Sequence, residues 1–203
     1  MATPANLLPP PPPLGDQRVT LHGVSWEQYE ALLEMRGDGS SLRVTYLEGE
    51  LELMSPSEDH KFDKKTLARL IEAYAEEAGI KINGYGSWTV KRKSVRRGAE
   101  ADECYILGPR VTTPTRPDFV IEVVRTSGGI DKLAVYQSLE VPEVWFWQQG
   151  KLEFHRLVGD NYVLATRSEL IMPGLDPALI GHCMQVPDQD DAVRALRAAM
   201  RTS

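Results

Sequence analysis

The segment from residue 116 to residue 147 constrains the fold more than any other part of the chain. It reads RPDFVIEVVRTSGGIDKLAVYQSLEVPEVWFW. Two strongly apolar runs flank a glycine pair and a stretch with helical spacing of its apolar residues. The segment therefore predicts a buried strand, a glycine turn, a helix and a second buried strand.

Two carboxylates lie inside the first of these predicted strands. Asp118 and Glu122 share one face because alternate side chains of a strand point the same way. An ionised carboxylate is costly to bury without a partner, so Glu122 requires a cation or hydrogen bonds. A metal site would satisfy it; a structural pairing with Arg116 or Arg125 is the alternative.

The helix that follows carries a lysine on its apolar side. Lys132, Val135, Tyr136 and Leu139 have the spacing i, i+3, i+4 and i+7, so Lys132 shares a stripe with core residues. Its amine can reach back to the strand, where it could orient an attacking water or stabilise charge on a phosphate. The alternative is a lysine that extends its amine to solvent.

The next strand upstream, predicted at 101–107, contains Asp102. If the two strands pair, Asp102 and Glu122 can bind one hard cation, and the backbone carbonyl of Val123 could add a third oxygen. Oxygen ligands suit Mg²⁺ or Mn²⁺. Asp102 could instead be a surface residue at a strand start, and Asp118 could serve only to fix the turn into its strand.

Composition limits the class of protein. The chain has 203 residues and a net charge of -6, which argues against a protein that coats nucleic acid through its overall charge but leaves room for a local basic groove. Two distant cysteines disfavour a disulfide framework or a zinc knuckle. With no apolar run of about 20 residues and no secretory signal, we expect a cytoplasmic protein.

The remaining pattern predicts a disordered proline-rich tail at 1–18 and a single domain at 19–203. Further helices are expected at 25–35, 56–78 and 192–200. The second has an inner stripe of Phe62, Leu67, Leu70, Ile71 and Tyr74. Hairpins are expected at 43–54 and 151–166, and strand material at 80–90.

Trp145 and Trp147 share a strand face, which suits either a core or a dimer contact, so a homodimer is possible.

A basic run follows the strand material at 80–90. Five of its seven residues are cationic, and they are the best candidates in the sequence for contacts to a phosphate backbone: Lys91, Arg92, Lys93, Arg96 and Arg97. A solvated strand end is the alternative.

Taken together, these motifs resemble the PD-(D/E)XK nuclease superfamily and, more closely, the Uma-type family of restriction-endonuclease-like proteins. The matching text spans about 46–175 and consists of LEGELELMSPS, EADECYIL, the segment at 116–147, and YVLATRSELIMPGL. The resemblance implies an α/β (mixed α+β) fold with a restriction-endonuclease-like core, in which helices flank a mixed central sheet. It also implies Mg²⁺- or Mn²⁺-dependent hydrolysis of DNA.

Residue by residue, the resemblance assigns the two acidic positions to Asp102 and Glu122. Two positions depart from the family pattern: Ala101 stands where proline is usual, and Val124 stands where the catalytic lysine is usual. Lys132 can replace that lysine from the helix. Supporting roles fall to Glu50, His60, Tyr136 and Asp118.

The leading hypothesis is therefore a metal-dependent DNA endonuclease. A relative with the same fold and a decayed site, acting as a DNA-binding or assembly partner, is the main alternative. A hydrolase of another class with two carboxylates, such as a glycosidase, is a weaker one.

Overall fold

The computed structural model describes residues 15–37, 41–126 and 128–202. Within these ranges the chain forms eleven strands and five α-helices. The strands are β1 Gln17–Leu21, β2 Arg43–Leu47, β3 Glu50–Ser55, β4 Ile82–Gly86, β5 Thr89–Arg92, β6 Arg97–Glu100, β7 Glu103–Leu107, β8 Phe119–Val124, β9 Glu143–Gln148, β10 Lys151–Val158 and β11 Asn161–Ala165. The helices are α1 Trp26–Arg36, α2 Glu58–Glu77, α3 Lys132–Ser138, α4 Pro177–Cys183 and α5 Gln189–Thr202.

The strands form two sheets where the sequence predicted one mixed sheet. An antiparallel sheet has the order β1-β3-β2-β6-β5, and a mixed sheet has the order β11-β10-β9-β8-β7-β4. In the mixed sheet only β8 and β9 are parallel, and α3 is the crossover between them. The predicted strand material at 80–90 splits, with β4 in one sheet and β5 in the other. The mixed α and β fold class is confirmed.

Strand β8 is covered on both sides, as its apolar sequence predicted. Phe119, Ile121 and Val123 enter a core with Trp145 and with residues of α2, α4 and α5. Val120 faces the opposite way and packs in the core beneath α3. Glu122 alternates onto this second face, so the carboxylate lies under the helix that carries Lys132.

Helix α2 begins later than predicted. Ser57, rather than Ser55, is the N-cap, and its hydroxyl accepts a hydrogen bond from the His60 backbone N–H. The helix ends before Gly79, whose φ of +68° suits glycine. Phe62 was predicted on the inner stripe but is 47% exposed, because it lies five residues before Leu67 and so about 140° away from it around the helix.

Both ends of the described chain carry elements that the sequence did not reveal. Strand β1 begins at Gln17, inside the predicted tail, and pairs with β3. Residues 1–14 of that tail lie outside the described residues. Helix α4 was not anticipated, and α5 begins at Gln189, three residues before the predicted start, because Asp188 accepts a hydrogen bond from the Asp190 N–H.

Candidate active site

The pairing of β7 with β8 brings the two predicted acidic residues together. Glu103 is the partner of Ile121 and Cys104 the partner of Val120, so the same register places Asp102 opposite Glu122. Asp102 itself lies just before β7, where the chain crosses from one sheet to the other, and not inside a strand as predicted. Both side chains are buried, each 1% exposed.

Glu122 receives a donor at each oxygen from α3. The Lys132 Nζ lies 2.5 Å from Glu122 Oε2, and the Tyr136 hydroxyl lies 2.5 Å from Oε1. The alternative partners do not reach it: Arg116 donates to the Glu140 carbonyl, and Arg125 pairs with acidic residues of α2. The amphipathic spacing of α3 therefore positions both groups that neutralise the buried carboxylate.

Asp102 is held by a different set of groups. Its Oδ2 accepts a hydrogen bond of 2.9 Å from the Val123 backbone N–H, and its Oδ1 lies 3.0 Å from His60 Nε2. His60 Nδ1 lies 3.0 Å from Asp16 Oδ2, so a buried Asp16–His60–Asp102 chain forms. The Ser57 N–H and hydroxyl donate in turn to Asp16 Oδ1. His60 thus orients Asp102 from the first turn of α2.

The ionised forms of Asp16, His60 and Asp102 stabilise one another. Burial raises the pKa of Asp102, but the hydrogen bond and the charge of His60 outweigh burial, and the pKa falls to about 2. Burial lowers the pKa of His60, yet Asp102 and Asp16 outweigh that effect, and the pKa rises above its ordinary value. A positive His60 between two negative carboxylates is therefore the favoured state.

The Glu122–Lys132 pair is closely coupled. Burial raises the pKa of Glu122 in spite of the neighbouring lysine. Burial would lower the pKa of Lys132, but Glu122 and Asp102 raise it above its ordinary value. The Lys132 ammonium lies 2.5 Å from the buried Glu122 carboxyl group, and a buried ammonium is stable only if such a neighbour is negatively charged. We therefore take both groups to be ionised at neutral pH.

Two cavities open on to the carboxylates. Glu122 and Lys132 line one of about 270 Å³, together with Glu52 and Arg18. Asp102 and His60 line another of about 320 Å³. The two acidic residues therefore line two different cavities.

Two buried carboxylates near the site were missed by sequence reasoning. Glu52 is 3% exposed, and its Oε2 accepts a hydrogen bond of 3.1 Å from the Ile130 N–H, just before α3. A signal existed, because Glu52 alternates in β3 on to the face of the apolar Met54. No such signal existed for Asp16, whose contact with His60 spans 44 residues of the chain.

Two of the predicted supporting residues lie apart from the acidic pair. Asp118 accepts a hydrogen bond of 2.7 Å from the Leu107 N–H, while its own N–H donates to the Tyr105 carbonyl, so it continues the pairing of the two strands. Glu50 lies at the exposed hairpin and pairs with His22 at 3.3 Å. Among the supporting residues, His60 and Tyr136 are the ones in contact with Asp102 and Glu122.

The predicted phosphate-binding run is neutralised at the surface. Each of its five cations contacts an acidic residue or a hydroxyl from another element: Lys91 contacts Glu30, Arg92 contacts Glu140, Lys93 contacts Glu27, Arg97 contacts Glu48, and Arg96 contacts the Tyr46 hydroxyl. The run therefore offers less free positive charge than its sequence suggested.

The donor chemistry of the acidic pair fits a magnesium-type ion. Among the residues that the structure describes, no group of three or more His, Cys, Asp or Glu side chains is arranged to hold a metal. Mg²⁺, however, is commonly bound through one or two carboxylates and keeps several of its waters. Asp102 and Glu122 supply two opposed carboxylates, and Val123 lines the same cavity as Glu122.

Most of the chain matches a known protein family. The family model described as Uma2, putative restriction endonuclease, matches residues 26–178. The chain belongs to the Uma2 family. Asp102, Glu122 and Lys132 lie within the matched region, and the resemblance seen in the sequence motifs is confirmed. None of the curated proteins matches the chain.

One solved structure similar to this Uma2 member is a putative nuclease belonging to DUF820 from Anabaena variabilis. It is 11% identical with a TM-score of 0.49, and the match covers 85% of this chain and 99% of that chain. Within the described part of this chain, no helix is long and apolar enough to cross a membrane.

Proposed function

We propose that this protein is an Mg²⁺- or Mn²⁺-dependent endonuclease that hydrolyses DNA phosphodiester bonds. The observation that carries the proposal is the buried pair of Asp102, just before β7, and Glu122 in the adjacent β8, with the Lys132 amine 2.5 Å from Glu122. Membership of the Uma2 family supports the same reaction class.

In this proposal Asp102 and Glu122 hold the metal, with the carbonyl of Val123 as a further donor. A bound divalent ion would polarise the scissile phosphate and make a bound water a stronger nucleophile. Tyr136 keeps one oxygen of Glu122 in place. His60 and Asp16 keep Asp102 ionised and oriented.

Lys132 acts as a cation in this proposal. Its raised pKa keeps the amine protonated at neutral pH, so it is a poor general base. A protonated amine can orient a water through its hydrogen bonds and can stabilise the negative charge that grows on the phosphate in the transition state. Lys132 reaches the site from α3 and so can replace the lysine that the family places at Val124.

The direct test is cleavage of supercoiled plasmid and of single-stranded DNA by the purified protein with Mg²⁺ or Mn²⁺. We expect nicking, and we expect Glu122→Gln and Lys132→Met each to lower the rate at least about 100-fold. Glu50→Gln is the matched control, because this carboxylate is exposed on the hairpin and should not affect cleavage. A wild-type protein that leaves both DNA forms intact with both metals would contradict the proposal.

A catalytically decayed relative that binds DNA is the second candidate. It is favoured by one observation: all four carboxylate oxygens of Asp102 and Glu122 already accept hydrogen bonds from the protein. This candidate predicts salt-sensitive DNA binding that survives Glu122→Gln. Calorimetric titration with Mg²⁺ or Mn²⁺ separates the two, since a competent site binds the ion and loses it in Glu122→Gln.

A further inference from the structure

Two cavities share Arg43 as a lining residue. Arg43 and Ser41 line both the cavity of about 320 Å³ that contains Asp102 and a larger one of about 780 Å³. We call the two together the Arg43 groove. The Arg43 Nε lies 3.9 Å from Asp102 Oδ1 and is buried with no hydrogen-bond partner among the described residues. Arg43 and Ser41 are therefore a wall common to both cavities, and one of the two also contains a proposed metal ligand, Asp102.

The Asp102 end of the groove is rich in positive charge. Arg43 and three lysines of α2 line it, against the carboxylates of Asp102 and Glu103; the lysines are Lys61, Lys64 and Lys65. Lys64 pairs with Glu103 at 3.2 Å. Within the described ranges, Lys61 pairs only with the exposed Glu58 one turn before it, a contact that contributes little to stability.

Lys65 gives this end its clearest surplus of charge. Among the described residues it forms no ion pair, and Glu103, which lines the same cavity, is already paired with Lys64. Lys61 and Lys65 lie one helical turn apart and so share a face of α2. This face of α2 therefore presents the amines of Lys61 and Lys65 to a phosphate in the groove.

The other end of the groove is aromatic. Tyr85 and Trp88 line the cavity of about 780 Å³, both are half-buried, and their ring centroids are 5.9 Å apart at an interplanar angle of 43°. The two rings are tilted rather than stacked on each other. Arg36 lines the same cavity; it pairs with Glu100, and its buried Nε has no hydrogen-bond partner in the part of the chain that the structure describes. The cavity thus combines aromatic faces with polar groups that can contact a base edge.

We propose that the Arg43 groove binds a single strand of DNA. Backbone phosphates lie at the lysine end beside Asp102, and an unstacked base packs on the aromatic end. Proteins that hold single strands combine a cationic track with aromatic rings on which bases stack, whereas the bases of a duplex are stacked on one another and out of reach of the rings. The inference rests on the proposed nuclease function, because the groove delivers a phosphate to Asp102.

The test measures binding without cleavage. Fluorescence anisotropy with a labelled single-stranded oligonucleotide and with its duplex, in EDTA and over a salt series, gives affinities for both forms. The double variant Lys61→Ala/Lys65→Ala should weaken single-strand binding and reduce the slope of log affinity against log salt by about 1.4, at about 0.7 for each lost phosphate contact. Lys91→Ala/Lys93→Ala removes the same charge from the basic run and should leave binding unchanged.

The aromatic end is tested separately. Trp88→Leu should weaken single-strand binding about tenfold or more, and Trp88→Phe should restore most of the loss, because a ring is required for stacking. Circular dichroism and thermal unfolding verify that each variant is folded.

Three results would overturn the inference: a lysine variant that binds as the wild type does, a Trp88→Leu variant with unchanged affinity, or a wild-type protein that binds only duplex. A protein that binds single strands as expected but never cleaves contradicts only the proposed nuclease function. A protein that cleaves, with binding unaffected by the groove variants, contradicts only the groove.

Discussion

At the scale of single residues, the buried carboxylates are stable because a donor meets each of their oxygens. Glu122 relies on Lys132 and Tyr136, and Asp102 relies on His60 and the Val123 N–H. Removing one member of a buried pair leaves the other charge without compensation, which costs far more than the loss of a surface ion pair. The site is therefore also a point on which the stability of the protein depends.

Lys132→Met should lower the free energy of unfolding by about 3 kcal/mol near neutral pH. Burial then acts on Glu122 without the lysine and keeps its pKa above the unfolded value. A group with a raised pKa stabilises the fold below its unfolded pKa and loses that contribution as pH rises through its folded pKa. In urea denaturation, the deficit relative to wild type should thus widen as pH rises above the unfolded glutamate pKa of about 4.3.

The double variant Glu122→Gln/Lys132→Met has no carboxylate to titrate at this position. Its deficit should be nearly independent of pH over the same range, which makes it the control. A constant deficit in Lys132→Met itself would show that Glu122 does not carry the charge we assign to it.

At the scale of elements, the glycine turn before α3 fixes where this helix begins, and so fixes the position of Lys132, its first residue. Glu52 of β3 accepts a hydrogen bond from the Ile130 N–H, and Arg18 of β1 donates to the Gly128 carbonyl. The antiparallel sheet thus holds the turn from which α3 starts, and α3 in turn brings its lysine to Glu122. Asp131 caps the helix through the Leu133 and Ala134 N–H groups.

Two neighbouring glycines give a matched test of this turn. Gly128 and Gly129 have φ values of +97° and +101°, so alanine is strained at either position by about 1–2 kcal/mol. A Cβ on Gly128 would meet nothing within 4 Å, whereas one on Gly129 would lie 2.0 Å from Glu52 Oε2. Gly129→Ala should therefore lower the melting temperature clearly more than Gly128→Ala. Equal losses would mean that Glu52 moves aside freely.

At the scale of the whole molecule, one apolar cluster joins the two sheets. It contains Val90 and Ala99 from the antiparallel sheet, Val120 and Val144 from the mixed sheet, and residues of α3 together with its C-cap residue, Leu139. Because buried contacts are shared across the sheets, we expect the described domain to unfold as one cooperative unit. The acidic pair lies at the same junction.

Leu139→Ala should test that cooperativity. The side chain is 2% exposed, so its loss should cost about 2–5 kcal/mol through the cavity it leaves. Hydrogen exchange should show the slowest amides of β2 and of β9 losing protection by a similar factor, although the two strands belong to different sheets. Loss confined to one sheet would mean that the sheets unfold independently.

The sequence anticipated most of the site because that part of it follows local rules. Alternation in β8 placed Glu122 beneath α3, helical spacing placed Lys132 and Tyr136 on the inner stripe, and both placements were confirmed. Local rules failed where partners are distant in the chain. No periodic pattern marks Asp16, and nothing local shows that the basic run would be neutralised by carboxylates from other elements.

The sequence by itself determined the strand-turn-helix-strand unit at 116–147, the identity of its ionisable residues and the family to which the chain belongs. These depend on periodicity and residue type, which are properties of short segments. Only the tertiary structure decided that Asp102 lies at the crossing between two sheets, that His60 connects it to Asp16, and that three lysines of α2 line the Arg43 groove. Those features depend on which strands pair and in what register, and long-range pairing is fixed by packing of the whole chain.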